Sequence, residues 1–215
     1  MNPAASLTLP AFAPSPACGP RIVALEGPNG TGKTTLCGSL AHALGAPVCL
    51  GTDEAWFSDA FKTRMIRDAQ WFASAMFFLS GCCEQMRLLR ERSESLIIMD
   101  RSLWSTLAVH GAESVERLAK LMAMLRPVAG EIRVPDFTLV LQASFATCQS
   151  RIARKSGCAR VLDELTAHTG FHAREKEFYG WLGRQRPDVA FLDVDNVSPE
   201  VAAQNALALI RGRIP

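Results

Sequence analysis

The sequence predicts one three-layer α/β domain, in which a mostly parallel sheet has helices on both of its faces. Short continuous apolar runs alternate with segments of helical spacing along most of the chain, which is the pattern of repeated β-α units. A length of 215 residues fits one such domain. The hydrophobic fraction of 48% and the charged fraction of 20% are typical of a globular protein with a buried core.

The elements follow one another in the order that such a domain requires. The apolar run 22–25 leads through a glycine-rich turn into a helix over Lys33–Leu44, which Gly45 closes. Residues 96–99 form a continuous apolar run that ends at Asp100, as expected for a strand covered on both faces. The other predicted elements are strands at 48–50, 137–141 and 189–194, and helices at 69–92, 113–126, 144–155, 165–184 and from 198 onward.

Charge and cysteine content exclude several classes of protein. The 23 Lys and Arg residues against 21 Asp and Glu give a net charge of +2, so a dedicated nucleic-acid binder is not predicted. No run of 18 uncharged apolar residues is present, and no membrane span is expected. The seven cysteines are odd in number and lack CxxC spacing, which favours a reducing cytoplasm over a disulfide framework or a zinc site.

Residues 1–20 differ from the rest of the chain in composition. They contain five of the twelve prolines and no Lys or Arg, and prolines at this density interrupt helices and sheets. We therefore expect an irregular leader outside the fold, and a domain over 21–215.

The segment Gly27–Thr34 carries the clearest chemical signal. It satisfies GxxxxGK[ST] and lies between a predicted strand and the start of a helix, where the phosphate-binding P-loop occurs. Its backbone amides and the helix N-terminus can hold phosphate oxygens, the lysine can reach the β and γ phosphates, and the threonine hydroxyl can bind Mg²⁺. The predicted site for ATP consists of Gly27, Asn29, Gly30, Thr31, Gly32, Lys33, Thr34 and Thr35.

A second carboxylate completes the predicted metal site. Asp100 ends the apolar run 96–99, and carboxyl ends of parallel strands meet at one edge of a sheet. Asp100 and Thr34 are therefore the predicted Mg²⁺ ligands, and Arg101 is placed to meet a phosphate.

At these motifs the chain resembles thymidylate kinases and, more distantly, deoxynucleoside kinases. The segment 25–35 is similar to the first motif of that family, and the segment 100–111 is similar to its second motif, which begins with Asp-Arg. The segments 135–141 and 191–193 are similar to two of its later strands. The resemblance implies a three-layer P-loop NTPase fold, ATP and Mg²⁺ as cofactors, a small-molecule nucleotide or nucleoside as acceptor, and a possible homodimer.

The same resemblance implies a mobile basic lid at about 154–163, whose arginines would close over the transferring phosphoryl group. The variable positions of the P-loop contain no arginine, so the lid has to supply the cation. Its candidates are Arg151, Arg154, Lys155 and Arg160, of which Arg154 and Arg160 are ranked first as catalytic residues beside Lys33, Asp100 and Arg101.

The acceptor half departs from the family pattern. The arginine that the family carries in its long helix is missing from 78–84, and Gly51-Thr52-Asp53-Glu54 replaces its Arg-Glu-Pro. A monophosphate acceptor needs cations, whereas a hydroxyl acceptor needs a carboxylate as general base. Asp53 and Glu54 are the candidates for that base, and both alternatives remain open. We expect a nucleoside monophosphate kinase, with a hydroxyl kinase as the in-class alternative and a nucleotide-binding switch as a third.

Aromatic residues supply the remaining acceptor candidates. Phe72 and Trp104 are predicted to line a base pocket, although apolar residues at helical spacing belong to the core more often than to a site. With Asp53, Glu54 and Arg101 they form the predicted acceptor site.

Overall fold

A five-stranded parallel sheet forms the centre of the molecule. The computed structural model describes residues 7–14, 18–52, 58–154 and 168–214. The strand order is β2-β3-β1-β4-β5, and every pairing is parallel. The strands are β1 (Arg21–Glu26), β2 (Val48–Leu50), β3 (Leu96–Asp100), β4 (Phe137–Gln142) and β5 (Val189–Asp193).

Helices connect the strands and cover the sheet on both sides. Serine side chains cap five of the described helices, for example Ser144, whose hydroxyl accepts a hydrogen bond from the backbone N–H of Thr147. The helices are α1 (Lys33–Leu44), α2 (Asp59–Arg67), α3 (Trp71–Leu88), α4 (Leu103–Thr106), α5 (Val115–Leu125), α6 (Phe145–Ala153), α7 (Thr169–Gln185) and α8 (Pro199–Arg211). A π-helical turn follows α4 at Leu107–Gly111, and short 3₁₀ turns lie at Leu89–Glu91 and Ala129–Glu131.

The strand order creates a crevice at the carboxyl edge of the sheet. β1 lies at the centre of the sheet, between β3 and β4. The chain builds β2 and β3 on one side of β1, and it then builds β4 and β5 on the other side. Ligands bind at such switch points in open α/β sheets. Because Leu25 is in register with Asp100, the first two predicted motifs meet there.

The sheet has a hydrophobic core on each face because side chains alternate along a strand. In β1, Ile22 and Ala24 pack with Met86 and Leu89 from the α3 side of the sheet. Leu25, one residue further, packs with α1 and α8 on the other side. The continuous apolar runs in the sequence correspond to this burial on both faces, and the predicted fold class is confirmed.

Part of the leader corrects the expectation that it lies outside the fold. Leu7, Leu9 and Phe12 pack against the core beside α4 and α5, and the Phe12 ring meets Trp104 edge to face at 5.4 Å between centroids. The backbone N–H of Ala13 donates to the carbonyl of Ile132. The segment is irregular, as its prolines predict, but its apolar side chains are part of the core.

Two other differences concern helices. α2 was not anticipated in the sequence, because its nine residues are mostly polar. The predicted helix at 165–184 begins at Thr169 in the structure, and residues 155–163 of the predicted lid lie outside the described residues. Within the described ranges, the helices are too short or too polar to cross a membrane.

Candidate active site

The P-loop wraps tightly around the carboxyl end of β1 and the start of α1. Gly27 and Gly30 have φ values of 125° and 84°, a region that L side chains rarely adopt. A Cβ on Gly27 would lie 2.3 Å from the carbonyl oxygen of Leu141, and one on Gly30 would lie 2.5 Å from that of Cys148. These glycines are therefore required by close backbone packing, and the loop is held rigidly against β4 and α6.

Lys33 lies within this loop. Its Nζ donates hydrogen bonds of 2.8 Å to the carbonyl oxygens of Gly27 and Pro28. The residue is only 4% exposed, so its ammonium group is buried within its own loop. Burial and the nearby Arg101 guanidinium lower the pKa of the Lys33 ammonium to about 7. A phosphate would replace the loop carbonyls as its partner and favour the charged form.

Thr34 and Asp100 meet at the predicted metal site. The Thr34 hydroxyl donates to Asp100 Oδ2 at 2.7 Å, and both residues line the cavity described below. A hydroxyl and a carboxylate are hard oxygen ligands, and Mg²⁺ binds through one or two such groups together with phosphate oxygens and water. The donor set therefore fits Mg²⁺.

Arg101 turns back from the end of β3 toward the P-loop. Its φ of 68° places a non-glycine residue in the left-handed region, a strain of about 1 kcal/mol or more. The guanidinium donates to Ser105 Oγ at 3.2 Å and to Asn29 Oδ1 at 3.4 Å. Gly51 permits the turn, because a Cβ there would lie 2.6 Å from the Arg101 carbonyl oxygen. The strained backbone aims the side chain into the crevice.

Two carboxylates are buried beneath the loop, and neither was singled out in the sequence. Glu26 is fully buried and Glu175 is 2% exposed. Burial raises the pKa of Glu175 to about 7, although the charges of Arg101 and Lys33 act to lower it. Both carboxylates oppose the positive charge of these two cations.

A single cavity of about 990 Å³ runs along the crevice and joins two halves. We call the part beside the P-loop and α8 the donor half, and the part beside α2 and α3 the acceptor half. The donor half includes Thr35, Ser39, Arg151, Arg154, Val194, Val197, Pro199 and Ala202. The acceptor half includes Thr52, Lys62, Ile66, Arg67, Phe78, Cys82, Arg101, Ser105, Thr106, Val109 and His110.

Two of the predicted lid cations, Arg151 and Arg154, are among the described residues, and both line the donor half. Arg151 donates to the carbonyl oxygen of Thr31 at 3.1 Å and to that of Val194 at 2.7 Å, so it links the P-loop to the segment after β5. Arg154 is exposed at the end of α6 and also lines the cavity. Arg160 lies outside the described residues.

The acceptor half has an aromatic wall formed by residues other than the two predicted ones, Phe72 and Trp104. The rings of Phe78 and His110 stack with an interplanar angle of 20° and 6.0 Å between centroids. Burial, and the charge of Arg117, lower the pKa of His110 to about 4, so this imidazole is neutral at physiological pH. His110 belongs to the π-helical turn at Leu107–Gly111, and such turns occur frequently at functional positions.

Cys82 forms part of the same half, at one of the positions where the family arginine was sought. Its Sγ lies 3.8 Å from Thr52 Oγ1, and burial raises the pKa of the thiol to about 12. Gly81 leaves room for Thr52, whose Cγ2 would lie 2.8 Å from a Cβ at that position. A small neutral side chain therefore occupies this part of the cavity.

The two predicted aromatic residues do not line the cavity. Trp104 is 0% exposed within the core, where Arg186 lies over its ring. Phe72 meets Trp71 edge to face and is also absent from the cavity wall. The assignment of both to a base pocket is therefore corrected, because helical spacing places them on other faces of their helices. Asp53 and Glu54 lie outside the described residues.

Comparison with known proteins places the chain in a family. A family model described as an AAA domain matches residues 22–170. The chain belongs to this family. The matched region includes both the P-loop and the Asp-Arg turn after β3, and no curated protein sequence matches the chain.

Comparison with solved structures confirms the fold of this chain. Deoxyadenosine kinase from M. mycoides with bound dATP is 18% identical, with a TM-score of 0.67, and the match covers 89% of this chain and 99% of that one. Thymidylate kinase from Candida albicans is 17% identical, with a TM-score of 0.66, and covers 90% and 92%. The fold is therefore that of nucleoside and nucleotide kinases, as the resemblance implied. At these identities the likeness concerns the fold alone.

Proposed function

We propose that this protein transfers the γ-phosphoryl group of ATP to a nucleoside monophosphate. The observation that carries the proposal is the charge of the cavity wall. Among the described residues that line it, Lys33, Lys62, Arg67, Arg101, Arg151 and Arg154 are cationic, whereas Asp100 is the only carboxylate. Asp100 is itself the candidate metal ligand. A site with this balance suits two anionic substrates that meet end to end.

The donor half holds the triphosphate. Backbone amides of the P-loop and the N-terminus of α1 bind phosphate oxygens, and Lys33 contacts the transferring group. When bound by Thr34 and Asp100, Mg²⁺ would neutralise charge on the phosphates. Arg151 donates to the carbonyl of Thr31 and so ties the loop to α6.

The acceptor half orients the monophosphate. Its phosphate already carries the attacking oxygen, so no general base is required and cations hold the nucleophile in line. Arg101 is the central cation, since it contacts both the P-loop at Asn29 and the acceptor half at Ser105. Lys62 lies at the end of this half, where its Nζ donates to the carbonyl of Thr52 at 3.1 Å. Phe78 and His110 offer a flat wall for a base.

The lid would complete the site. Arg154 stands at the end of α6 where the predicted lid begins, and Arg160 belongs to the predicted lid itself. With ATP bound, these two arginines are proposed to close over the γ-phosphoryl group and exclude water.

The test is ADP release with matched acceptor pairs. Each nucleoside monophosphate is assayed beside its own nucleoside, with ATP and Mg²⁺ at fixed concentrations, so that the two acceptors differ only in the phosphate. We expect turnover with at least one monophosphate and little with its nucleoside. Turnover that is faster with the nucleosides would contradict the proposal.

A kinase of a nucleoside or another hydroxyl metabolite is the second candidate. Thr52 lines the acceptor half, and Asp53 follows it directly in the chain, so a carboxylate base near the acceptor is favoured by sequence position. In that case Asp53→Asn or Glu54→Gln would abolish transfer to nucleosides, because a hydroxyl acceptor must lose its proton. The same variants would leave transfer to a monophosphate largely intact.

A further inference from the structure

Glu26, the last residue of β1, lies in the buried charged layer beneath the P-loop. Its side chain is 0% exposed, and both carboxylate oxygens accept hydrogen bonds from neighbouring protein groups. Oε1 accepts from the backbone N–H and the hydroxyl of Ser102, both at 2.7 Å. Oε2 accepts from the hydroxyl of Tyr179 at 2.9 Å and from that of Ser105. A carboxylate enclosed in this way cannot act as a base toward the acceptor.

The direction of these hydrogen bonds connects Glu26 to Arg101. A serine hydroxyl has one proton, and that of Ser105 is donated to Glu26. The Ser105 oxygen is therefore an acceptor toward Arg101, whose Nη1 donates to it at 3.2 Å. The negative charge of Glu26 polarises this chain from one end and the guanidinium from the other, which strengthens each bond in it.

Glu26 also fixes the backbone from which Arg101 projects. Its Oε1 binds the N–H of Ser102, the residue directly after the left-handed turn at Arg101. The backbone N–H of Arg101 donates to the carbonyl of Leu25, directly before Glu26. The Glu26 carboxylate thus bonds to the backbone just after the turn. Through Ser105 it also supports the Arg101 guanidinium, which the turn directs toward the P-loop.

We propose that Glu26 is the positioning residue for Arg101, acting through Ser105. Without it, the strained turn and the guanidinium lose their common support, and the cation no longer stays between the P-loop and the acceptor half. The inference rests on the proposed function for its kinetic test, since Arg101 is there the residue that grips the acceptor phosphate. Its structural test does not depend on the reaction.

Two substitutions separate positioning from simple support of the fold. Ser105→Ala and Tyr179→Phe each remove one hydroxyl that donates to the same oxygen of Glu26, but of these two hydroxyls it is that of Ser105 that accepts a hydrogen bond from Arg101. We expect Ser105→Ala to raise the KM for the acceptor about 10-fold, with the KM for ATP unchanged. Tyr179→Phe also removes a contact to Ser105, but Ser105 can still donate to Glu26 and accept from Arg101, so the acceptor KM should change less than about 2-fold. Equal changes in both variants would overturn the proposal.

A third variant tests Glu26 itself. In Glu26→Gln the amide oxygen can still accept from Ser102, but the amide nitrogen would face Ser105 and compete with Arg101 for its oxygen. The acceptor KM should therefore rise at least as much as in Ser105→Ala, and the double variant should be no worse than Glu26→Gln alone. Additive losses in the double variant would show that the two residues act separately and would overturn the proposal.

Crystal structures of Ser105→Ala and Tyr179→Phe provide the readout that is independent of turnover. We expect the Arg101 guanidinium to leave Asn29 in Ser105→Ala and to stay there in Tyr179→Phe. An unmoved guanidinium in Ser105→Ala would refute the positioning role, even if the protein phosphorylates monophosphates. A displaced guanidinium in a protein that phosphorylates no monophosphate would instead leave the positioning role standing and reject the proposed function.

Discussion

The donor and acceptor halves of the cavity are built in different ways. The phosphate-binding part of the donor half is made largely of backbone from one short segment, the P-loop, in which glycines permit close packing and Lys33 bonds to carbonyls of its own loop. The acceptor half is made of side chains from β2, α2, α3 and the π-helical turn, which are distant in sequence. A phosphate can be held by backbone amides in any member of the fold, whereas an acceptor must be recognised by particular side chains. We therefore expect substitutions to affect the two halves differently.

The largest effect is expected in the donor half, from Lys33→Ala. Removal of the cation that contacts the transferring phosphoryl group should lower kcat by about 10³-fold. Because the lysine bonds to loop carbonyls, the variant should also unfold at slightly lower denaturant concentration. Single-turnover transfer and urea unfolding measure the two effects. Normal turnover in the variant would remove Lys33 from the catalytic residues.

Arg101→Ala should affect the acceptor half without affecting the donor half. Loss of a charge-assisted contact to phosphate should raise the acceptor KM by about 10- to 100-fold, while hydrolysis of ATP without acceptor changes little. Initial rates at varied acceptor concentration, with hydrolysis of ATP as the control, give both values. If the rate of transfer to the acceptor and the rate of ATP hydrolysis fall by the same factor, Arg101 serves the donor instead of the acceptor.

Phe78→Leu should weaken the acceptor half alone, by about 10-fold in acceptor KM, since stacking of a base on an aromatic ring is worth about 1–3 kcal/mol. Phe77→Leu is the matched control. Phe77 is the next residue on α3, packs against Phe61 at 5.4 Å between centroids and does not line the cavity. The two variants are compared with the same acceptor series. The Phe77 ring also meets that of Phe78 edge to face at 4.9 Å between centroids, so a similar loss from both variants would mean that the packing of this pair, and not stacking on Phe78 alone, determines binding.

The smallest effect concerns His110 and pH. Burial lowers the pKa of His110 in the folded protein to about 4, below the ordinary value of 6.5, so between these pH values the unfolded chain binds a proton that the folded protein does not bind. The contribution of neutral His110 to stability is therefore full above pH 6.5 and is lost as the pH falls toward 4. Urea unfolding at pH 7.5 and pH 5 should show a larger drop for the unmodified protein than for His110→Gln. An equal drop would place the acid sensitivity elsewhere.

The fold and the donor half were largely predictable because their signals are local. Apolar runs buried on both faces identified β1, β3 and β4, and the spacing of glycines with Lys33 identified the phosphate loop. The pairing of Thr34 with Asp100 also followed, since the loop and helix start that follow β1 meet the end of the neighbouring strand β3 at one edge of the sheet. The metal, the lid and the role of Arg160 remain predictions.

The acceptor half could not be predicted in the same way. Phe72 and Trp104 were chosen for their aromatic character, yet rotation about their helix axes places them away from the cavity, while Phe78 and His110 face it. Such an assignment depends on the orientation of each helix and, for His110, on one π-helical turn. No periodicity in the sequence gives either of these.

By itself, the sequence determined that this chain folds as a P-loop α/β domain and predicted the loop Gly27–Thr34 as the phosphate site, because apolar patterning and glycine geometry act over a few neighbouring residues. Only the tertiary structure decided which side chains line the acceptor half of the cavity, that Lys33 is buried, and that Glu26 is linked to Arg101 through Ser105. Those relations join residues far apart in the chain, as between Glu26, Ser105 and Tyr179, and they arise only when the sheet and its helices pack together.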